Sequence, residues 1–502
     1  MKNGKRAAIV GASAEAIHTI EAARALGVRV TALDGNPQAA GLAAADEARV
    51  IDISDETAAL ECLRQIRKEE GLDFLLVAPI GRYLTTTGAV NDALELRGIS
   101  KEAAERCTDK WEFHRTLAEA GLRECRCELL DHAFWKRYGA GVMGERETAF
   151  SYPVVLKPRY GSGSRGIRIA ESAEALRAEL ETLRQESAGV SESGISGGTD
   201  ALPPGGKNSL PESRAAESGY PEDYVAEELV SGEEYGADGA VTADGFHLIL
   251  LRKKRLTPLP ARQAVGYVSV VPQGQKEAGE REDLTGAVAL YLERIVRVLG
   301  LRDCLLHADL MIARGRAPFV IELSARPSGH FLHDLFTPLA TGVDMAAEMV
   351  KYQMGAPYCF VPERVEPMMI RYFDFTGRAA YVPDEEEVKE VLDCAAETAG
   401  QVGVLPESAR DVRAEEPVSG NGRAPEIAAG SSGEADDTVH LVRYECHIRQ
   451  GDRLAAPDTG HVLMERGFFI LRAQDDKYAS SAEAEEALER AAERVLGAFR
   501  IV

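Results

Sequence analysis

No run of about 18 apolar residues occurs in the 502-residue chain, so no membrane-crossing helix is expected. The pattern G-x-x-x-x-G-K-[ST] is also missing, which excludes a Walker A phosphate loop. The eight cysteines are scattered and include no CxxC pair. They read as reduced thiols of a cytoplasmic protein rather than as a disulfide framework, and Cys125-x-Cys127 is too isolated to make a metal site. The start, MKNGKRAAIVGAS, runs from a basic patch straight into a strand-like segment. It lacks the apolar region and cleavage site of a signal peptide. Positive charge is short, with 58 Lys and Arg against 81 Asp and Glu and a net charge of −23. That balance disfavours nucleic acid and anionic membranes as partners.

What is present suggests roughly three domains by length. Residues 6–100 alternate strand-like and helix-like runs (RAAIVGA, VRVTALDG and FLLVAPI, with helices between), the pattern of a parallel, Rossmann-like sheet in an α/β chain. The first strand closes on Gly11-Ala12-Ser13 rather than G-x-G-x-x-G, so a dinucleotide site there is poorly supported. Asp109 is placed to cap a helix over 109–121. Strand, loop and strand follow in YPVVLKPRYGSGSRGIRIA, then a helix over 171–186. Residues 187–219 and 406–437 are rich in Ser, Gly, Pro and Glu and read as disordered surface insertions. These features divide the chain into 1–108, 109–356 and 357–502, the last a smaller β-rich unit with no motif of its own.

Three segments carry chemistry. Lys157 precedes the loop Gly161-Ser162-Gly163-Ser164-Arg165-Gly166. A lysine neutralises phosphate charge, and glycines let backbone N–H groups approach phosphate oxygens. Read alone, the segment could equally be a Gly-rich surface hairpin. Asp309 and Glu322 lie on consecutive strand candidates, and hard carboxylate oxygens of this kind suit Mg²⁺ or Mn²⁺ carried by nucleotide phosphates. Ser324 lies on the same strand face as Glu322, and Arg326 follows if the strand continues. In EELVSGEE, an apolar strand ends in a turn that can offer backbone groups to an adenine edge, with a carboxylate a few residues on.

In this order the segments resemble the ATP-grasp superfamily of carboxylate–amine ligases. The resemblance covers residues 6–345. H-A-D followed by I-E-L-S-A-R is most similar to the L-amino acid ligases, and the E-E-x-x-x-G-x-E hinge also matches the D-alanine–D-alanine ligase pattern. The resemblance implies an ATP-grasp fold with an N-terminal Rossmann-like domain, ATP and Mg²⁺ as cofactors, and a small carboxylate and an amine as substrates. A homodimer is an expectation from the same source.

It also implies roles. Lys110 and Lys157 contact the ATP phosphates, and Gly161 to Gly166 form a lid over them. Glu227 offers its carbonyl to the adenine amino group, Val230 its N–H to the ring, and Glu234 binds the ribose. Asp309 and Glu322 hold the metal with Ser324 as a weaker partner; glutamate is commoner at the first position and asparagine at the third. Arg326 stabilises the acyl phosphate, and His307 lines the substrate site. One cation of Arg252-Lys253-Lys254-Arg255 reaches the γ-phosphate, with the choice among the four open. Gly81, Arg82 and the Arg262–Tyr267 stretch are candidates for the substrate pocket. A carboxylation enzyme of the biotin-carboxylase or purine-pathway kind, and a nucleotide-binding regulator without catalysis, stay open as alternatives.

Overall fold

The computed structural model describes residues 4–78, 83–140, 150–161, 166–192, 223–258, 262–272, 284–313, 317–393, 439–457, 459–474, 477–478 and 480–502. Ser162, Gly163 and Ser164 of the expected lid, Gly81 and Arg82, and most of the two Ser/Gly-rich segments lie outside these residues. The helix expected to end at 186 runs as Ala173–Glu192. Extending a formed helix by six residues costs little once its nucleus exists.

The N-terminal strands β1 (Arg6–Val10), β2 (Arg29–Asp34), β3 (Glu47–Val50) and β4 (Phe74–Leu76) form a parallel sheet in the order β3-β2-β1-β4. The strands of its centre are continuously apolar because helices cover both faces. A second sheet takes β5 (Cys127–Leu130), β6 (Val154–Pro158), β7 (Arg168–Ala170) and β8 (Tyr224–Glu228) in the antiparallel order β5-β8-β6-β7. It packs on Trp135, Leu176 and Leu180 from two helices.

The third sheet is the largest. Its strands are β9 (Glu233–Thr242), β10 (Gly245–Leu256), β11 (Ala264–Ser269), β12 (Cys304–Ile312), β13 (Phe319–Ser324) and β14 (Met368–Tyr372). After β15 (Gly377–Tyr381) come β16 (Val439–Cys446), β17 (Arg453–Leu454), β18 (Gly467–Ala473) and β19 (Arg500–Ile501). The order β13-β12-β9-β10-β11-β14-β18-β16 makes one antiparallel sheet of eight strands, and β17-β15-β19 is a fourth sheet of three short strands. The C-terminal strands β14, β16 and β18 therefore continue the central sheet rather than standing apart from it.

Alternation decides what each face of this sheet does. Leu306, Ala308 and Leu310 of β12, Tyr235 and Ala237 of β9, and Leu251 of β10 point one way. They bury against the helices Lys101–Thr108, Lys110–Glu119 and Leu284–Leu299. The residues between them, including His307, Asp309, Glu234, Asp238, Arg252 and Lys254, point the other way, and these are charged. Among the described residues no helix is long and apolar enough to cross a membrane, and seven of the eight cysteines are free thiols.

Candidate active site

Asp309 on β12 stands directly opposite Glu322 on β13. A β-bulge follows, for Leu310 pairs with Val320 and leaves Ile321 unpaired. The extra residue lets Val320 and Leu323 both reach the core while Glu322 stays on the charged face. Ser324 pairs with His307. The strand ends at Ser324, so Arg326 lies beyond it, and its Nη1 donates to the Pro327 carbonyl at 2.8 Å.

The Lys254 ammonium bridges two carboxylates, 2.7 Å from Glu234 Oε1 and 2.8 Å from Asp309 Oδ1. Glu234 also pairs with Arg262 at 3.1 Å. The structure thus separates the four basic residues. Arg252 is fully buried on Asp238, Lys253 pairs with Glu233 and Glu485, and Arg255 with Glu485 and Glu489. Only Lys254 of the four contacts Asp309 among the described residues. Burial would lower the basicity of Lys254, but Asp309 and Glu234 outweigh it and raise its pKa. Burial would likewise raise Asp309, yet Lys254 and His307 hold its carboxyl well below the usual range.

His307 lies between two acids, Nδ1 at 3.1 Å from Asp238 and Nε2 at 3.2 Å from Asp309. Burial opposes its charge, but the hydrogen bonds to both carboxylates raise its pKa. Asp238 is the hub beneath: it also accepts from Arg252, Ser328 and Thr337. Gly236 lies under this group, where a Cβ would stand 3.4 Å from the His307 ring.

A second group gathers where the two antiparallel sheets meet. Lys157 ends β6, and its ammonium pairs with Glu227 on the neighbouring β8. The other oxygen of Glu227 accepts from Arg123 at 2.9 Å. Burial would raise Glu227, but Lys157 and then Arg123 bring it down to about 2. Arg123 spans further: it donates to His114 Nδ1 at 2.9 Å and to the carbonyls of Val320 and Ile321, those of the bulge. Burial, reinforced by Arg123, drops His114 to about 4, so its nitrogen is free to accept. His114, Cys125 and Glu227 bring metal-ligand atoms within 4.8 Å of one another. Arg123 donates to two of the three, His114 and Glu227, and its charge acts on the Cys125 thiol, so a cation of the protein itself serves that set.

Lys110 opens its helix just after the cap Asp109, whose carboxylate also holds Arg159 and Tyr160. Lys110 Nζ donates to the Gly161 carbonyl at 2.8 Å. Burial lowers its pKa; Glu322 opposes this and Lys157 adds to it, which puts all three charges in one neighbourhood. Gly161 has φ +133°, and at Gly166 (φ +71°) a Cβ would approach Pro158 to 2.9 Å. Both ends of the expected lid thus need glycine. Val230, just past β8, is half-buried, and its N–H makes no hydrogen bond among the described residues.

Sequence reasoning missed Arg123 and Asp238. Arg123 and Asp238 had no signal, since both lie in ordinary stretches and gain meaning only from partners far along the chain.

No family model matches this sequence, and no curated protein does. Solved structures match it from end to end. An L-amino acid ligase from Bacillus licheniformis is 17% identical with a TM-score of 0.63, covering 100% of this chain and 99% of its own. A phosphoribosylglycinamide synthetase from Anaerococcus prevotii is 15% identical with a TM-score of 0.58, covering 99% of each. The biotin carboxylase domain of the Hydrogenobacter thermophilus 2-oxoglutarate carboxylase, solved with MgADP and bicarbonate, is 14% identical at 0.56, covering 100% and 91%. At such identities the likeness is one of architecture, and the chain has the ATP-grasp fold.

Proposed function

We propose that this protein is an ATP-dependent ligase that joins a small carboxylate, such as an amino acid, to an amine through an acyl phosphate, releasing ADP and phosphate. The observation that carries the reading is the pairing of Asp309 with Glu322 on the sheet face that also presents Glu234 and Lys254. The end-to-end likeness to an L-amino acid ligase supports it.

The donor set fits a divalent cation. Asp309 Oδ1 is buried and already gathers two cationic groups, Lys254 at 2.8 Å and His307 Nε2 at 3.2 Å, so positive charge is favoured at this oxygen. Carboxylate oxygens at two facing positions are the hard donors Mg²⁺ prefers. Asp309 and Glu322 would hold it, with Ser324 beside them, and Mg²⁺ would supply charge neutralisation at the phosphates.

The residues divide the remaining work. Lys110 and Lys157 bind phosphate oxygens, and the loop from Gly161 to Gly166 covers them and excludes water. The Glu227 carbonyl and the Val230 N–H face the adenine edge, and Glu234 takes the ribose hydroxyls. The carboxylate substrate attacks the γ-phosphorus in line, giving the acyl phosphate and ADP. The amine then attacks the acyl carbon, the new C–N bond forms as the C–O bond to phosphate breaks, and Arg326 with His307 supports the oxyanion. Such chemistry rests on positioning and preorganised charge. Water exclusion matters because a hydrolysed intermediate wastes ATP.

The test is amine-dependent ADP release with a product of amide mass. A carboxylation reading has its own support in the end-to-end match to a biotin carboxylase domain. ADP release that requires bicarbonate and no amine would favour it. Tight ATP binding without turnover on any carboxylate would favour a regulator.

A further inference from the structure

The order β3-β2-β1-β4 places the neighbours of β1 on opposite sides of it, reached by connections in opposite directions. Open parallel sheets bind ligands outside the carboxyl ends of their strands at such a reversal. Here β1 is followed by Gly11-Ala12-Ser13 and the short turn of helix Ala14–Ala16, which carries Glu15. Glu15 Oε1 accepts the His330 N–H at 3.1 Å and would lie 2.7 Å from a Cβ at Gly329. The N-terminal sheet therefore delivers a carboxylate to the segment that begins at Arg326.

That segment is held under strain. His330 and Phe331 have φ of 61° and 56°, left-handed values that are costly for bulky side chains. They persist because the surroundings fix them: the Tyr372 hydroxyl donates to the His330 carbonyl, and the His330 ring packs on Gly460. Three distant regions of the chain converge on this residue.

Polar groups here outnumber their partners. Arg326 Nε, Ser13 Oγ, Asp334 Oδ1 and both ring nitrogens of His333 are buried without a hydrogen-bond partner among the described residues. His333 is 1% exposed. The Ser328 carbonyl and Asp334 Oδ1, 3.9 Å from Nδ1, lie beside it without hydrogen-bond geometry. Its ring meets that of His18 edge-on at 6.1 Å, one helical turn from Glu15. Buried polar groups without partners are rare in folded proteins, and a set of them around one junction points to a ligand.

We propose that Glu15 is a specificity-determining residue that binds the ammonium group of the amine substrate. The inference rests on the ligase reading and deepens it. An acyl phosphate is anionic and belongs with Arg326. The second substrate arrives as a protonated amine, and the junction offers it acceptors: Glu15, Asp334, and the imidazoles of His330 and His333, whose basicity burial lowers. Before attack the ammonium nitrogen gives one proton to water; the C–N bond then forms as phosphate leaves with the C–O bonding pair, and the second proton passes from nitrogen to the departing phosphate.

The experiment sets a pool of protein amino acids against hydroxylamine, which is uncharged at neutral pH, with Mg-ATP and the full chain. Amide and hydroxamate products are measured by mass spectrometry. Wild-type formation of either product tests the ligase reading. The ratio of amide to hydroxamate tests Glu15. In Glu15→Gln the ratio is expected to fall at least about tenfold, the scale of one lost charged hydrogen bond, and Glu15→Asp is expected to recover part of it. An unchanged ratio in Glu15→Gln overturns the inference, as does equal loss of both products, which would make Glu15 a structural support for His330. Should Glu15→Gln fail to fold, the ratio in Glu15→Asp decides, and a wild-type value there also overturns it. If the wild type forms neither product, the ligase reading fails and this inference with it.

Discussion

The Lys254 ammonium stands 2.8 Å from Asp309 Oδ1, at the position where the proposed reaction calls for a divalent cation. With Glu234 on its other side, this lysine neutralises two half-buried carboxylates, sharing Glu234 with Arg262 and Asp309 with His307. It links the residues assigned to ribose and to metal, and binding of Mg-ATP must redistribute its contacts.

Replacing Lys254 with alanine should therefore cost stability as well as activity. Its side chain is 7% exposed, and breaking a buried pair by removing one partner costs roughly 3–5 kcal/mol. Lys253→Ala, which breaks more exposed pairs with Glu233 and Glu485, should cost about 1 kcal/mol or less. Urea unfolding of both variants checks the contrast, and equal losses would contradict the division of labour drawn here.

Glu322→Ala should nearly abolish ADP formation while leaving the melting temperature almost unchanged. Glu322 is exposed and adds little to the core. Losing a direct metal ligand should exceed the 10–100-fold penalty typical of residues that only support one. A folded variant with near-normal turnover would remove the metal assignment.

The Glu227 cluster sets an acid limit on stability. Its folded pKa, about 2, lies below the ordinary glutamate value near 4.3. A depressed carboxylate contributes stability that is fully present above the unfolded pKa and lost as pH falls through the folded one. Stability should thus decline between about pH 4.5 and pH 2, by about 3 kcal/mol from this group at 1.4 kcal/mol per unit. In Glu227→Gln that part of the decline should vanish, although the variant starts less stable because Lys157 and Arg123 lose their partner. Denaturant titrations across this range measure it.

Gly161→Ala forces a side chain into φ +133° at the start of the lid, although nothing crowds its Cβ. Strain of about 1–3 kcal/mol is expected. If it falls on the closed lid, ADP formation drops roughly 5–150-fold and the share of ATP hydrolysed without amide product rises. Product-to-ADP ratios read this directly, and unchanged coupling would argue against a covering role.

How much of this was legible beforehand follows from where the chemistry sits. Lys157 and its glycines, and the hairpin with Asp309 and Glu322, are local patterns in which neighbours in sequence are neighbours in space, and the ladder pairs the two acids as the strand alternation required. The bulge at Ile321 was not legible, because a single extra residue leaves the apolar pattern nearly intact. Nor was the choice of Lys254 from four adjacent basic residues, which depends on strand register against β9 and β12. Arg123 and Glu15 join regions about 100 and 315 residues apart, and only the folded chain brings these partners together. The likeness to the ATP-grasp fold was readable because its motifs come in a fixed order along the chain, whereas the continuation of the central sheet through β14, β18 and β16 carries no motif at all.

The most direct measurement is ADP release by the purified protein with Mg-ATP and pooled amino acids and small carboxylates, with mass spectrometry of the products. Turnover that depends on an amine and yields a new amide mass is the expected result. Measurable ATP binding with no amine-dependent turnover from any pool would contradict the ligase assignment.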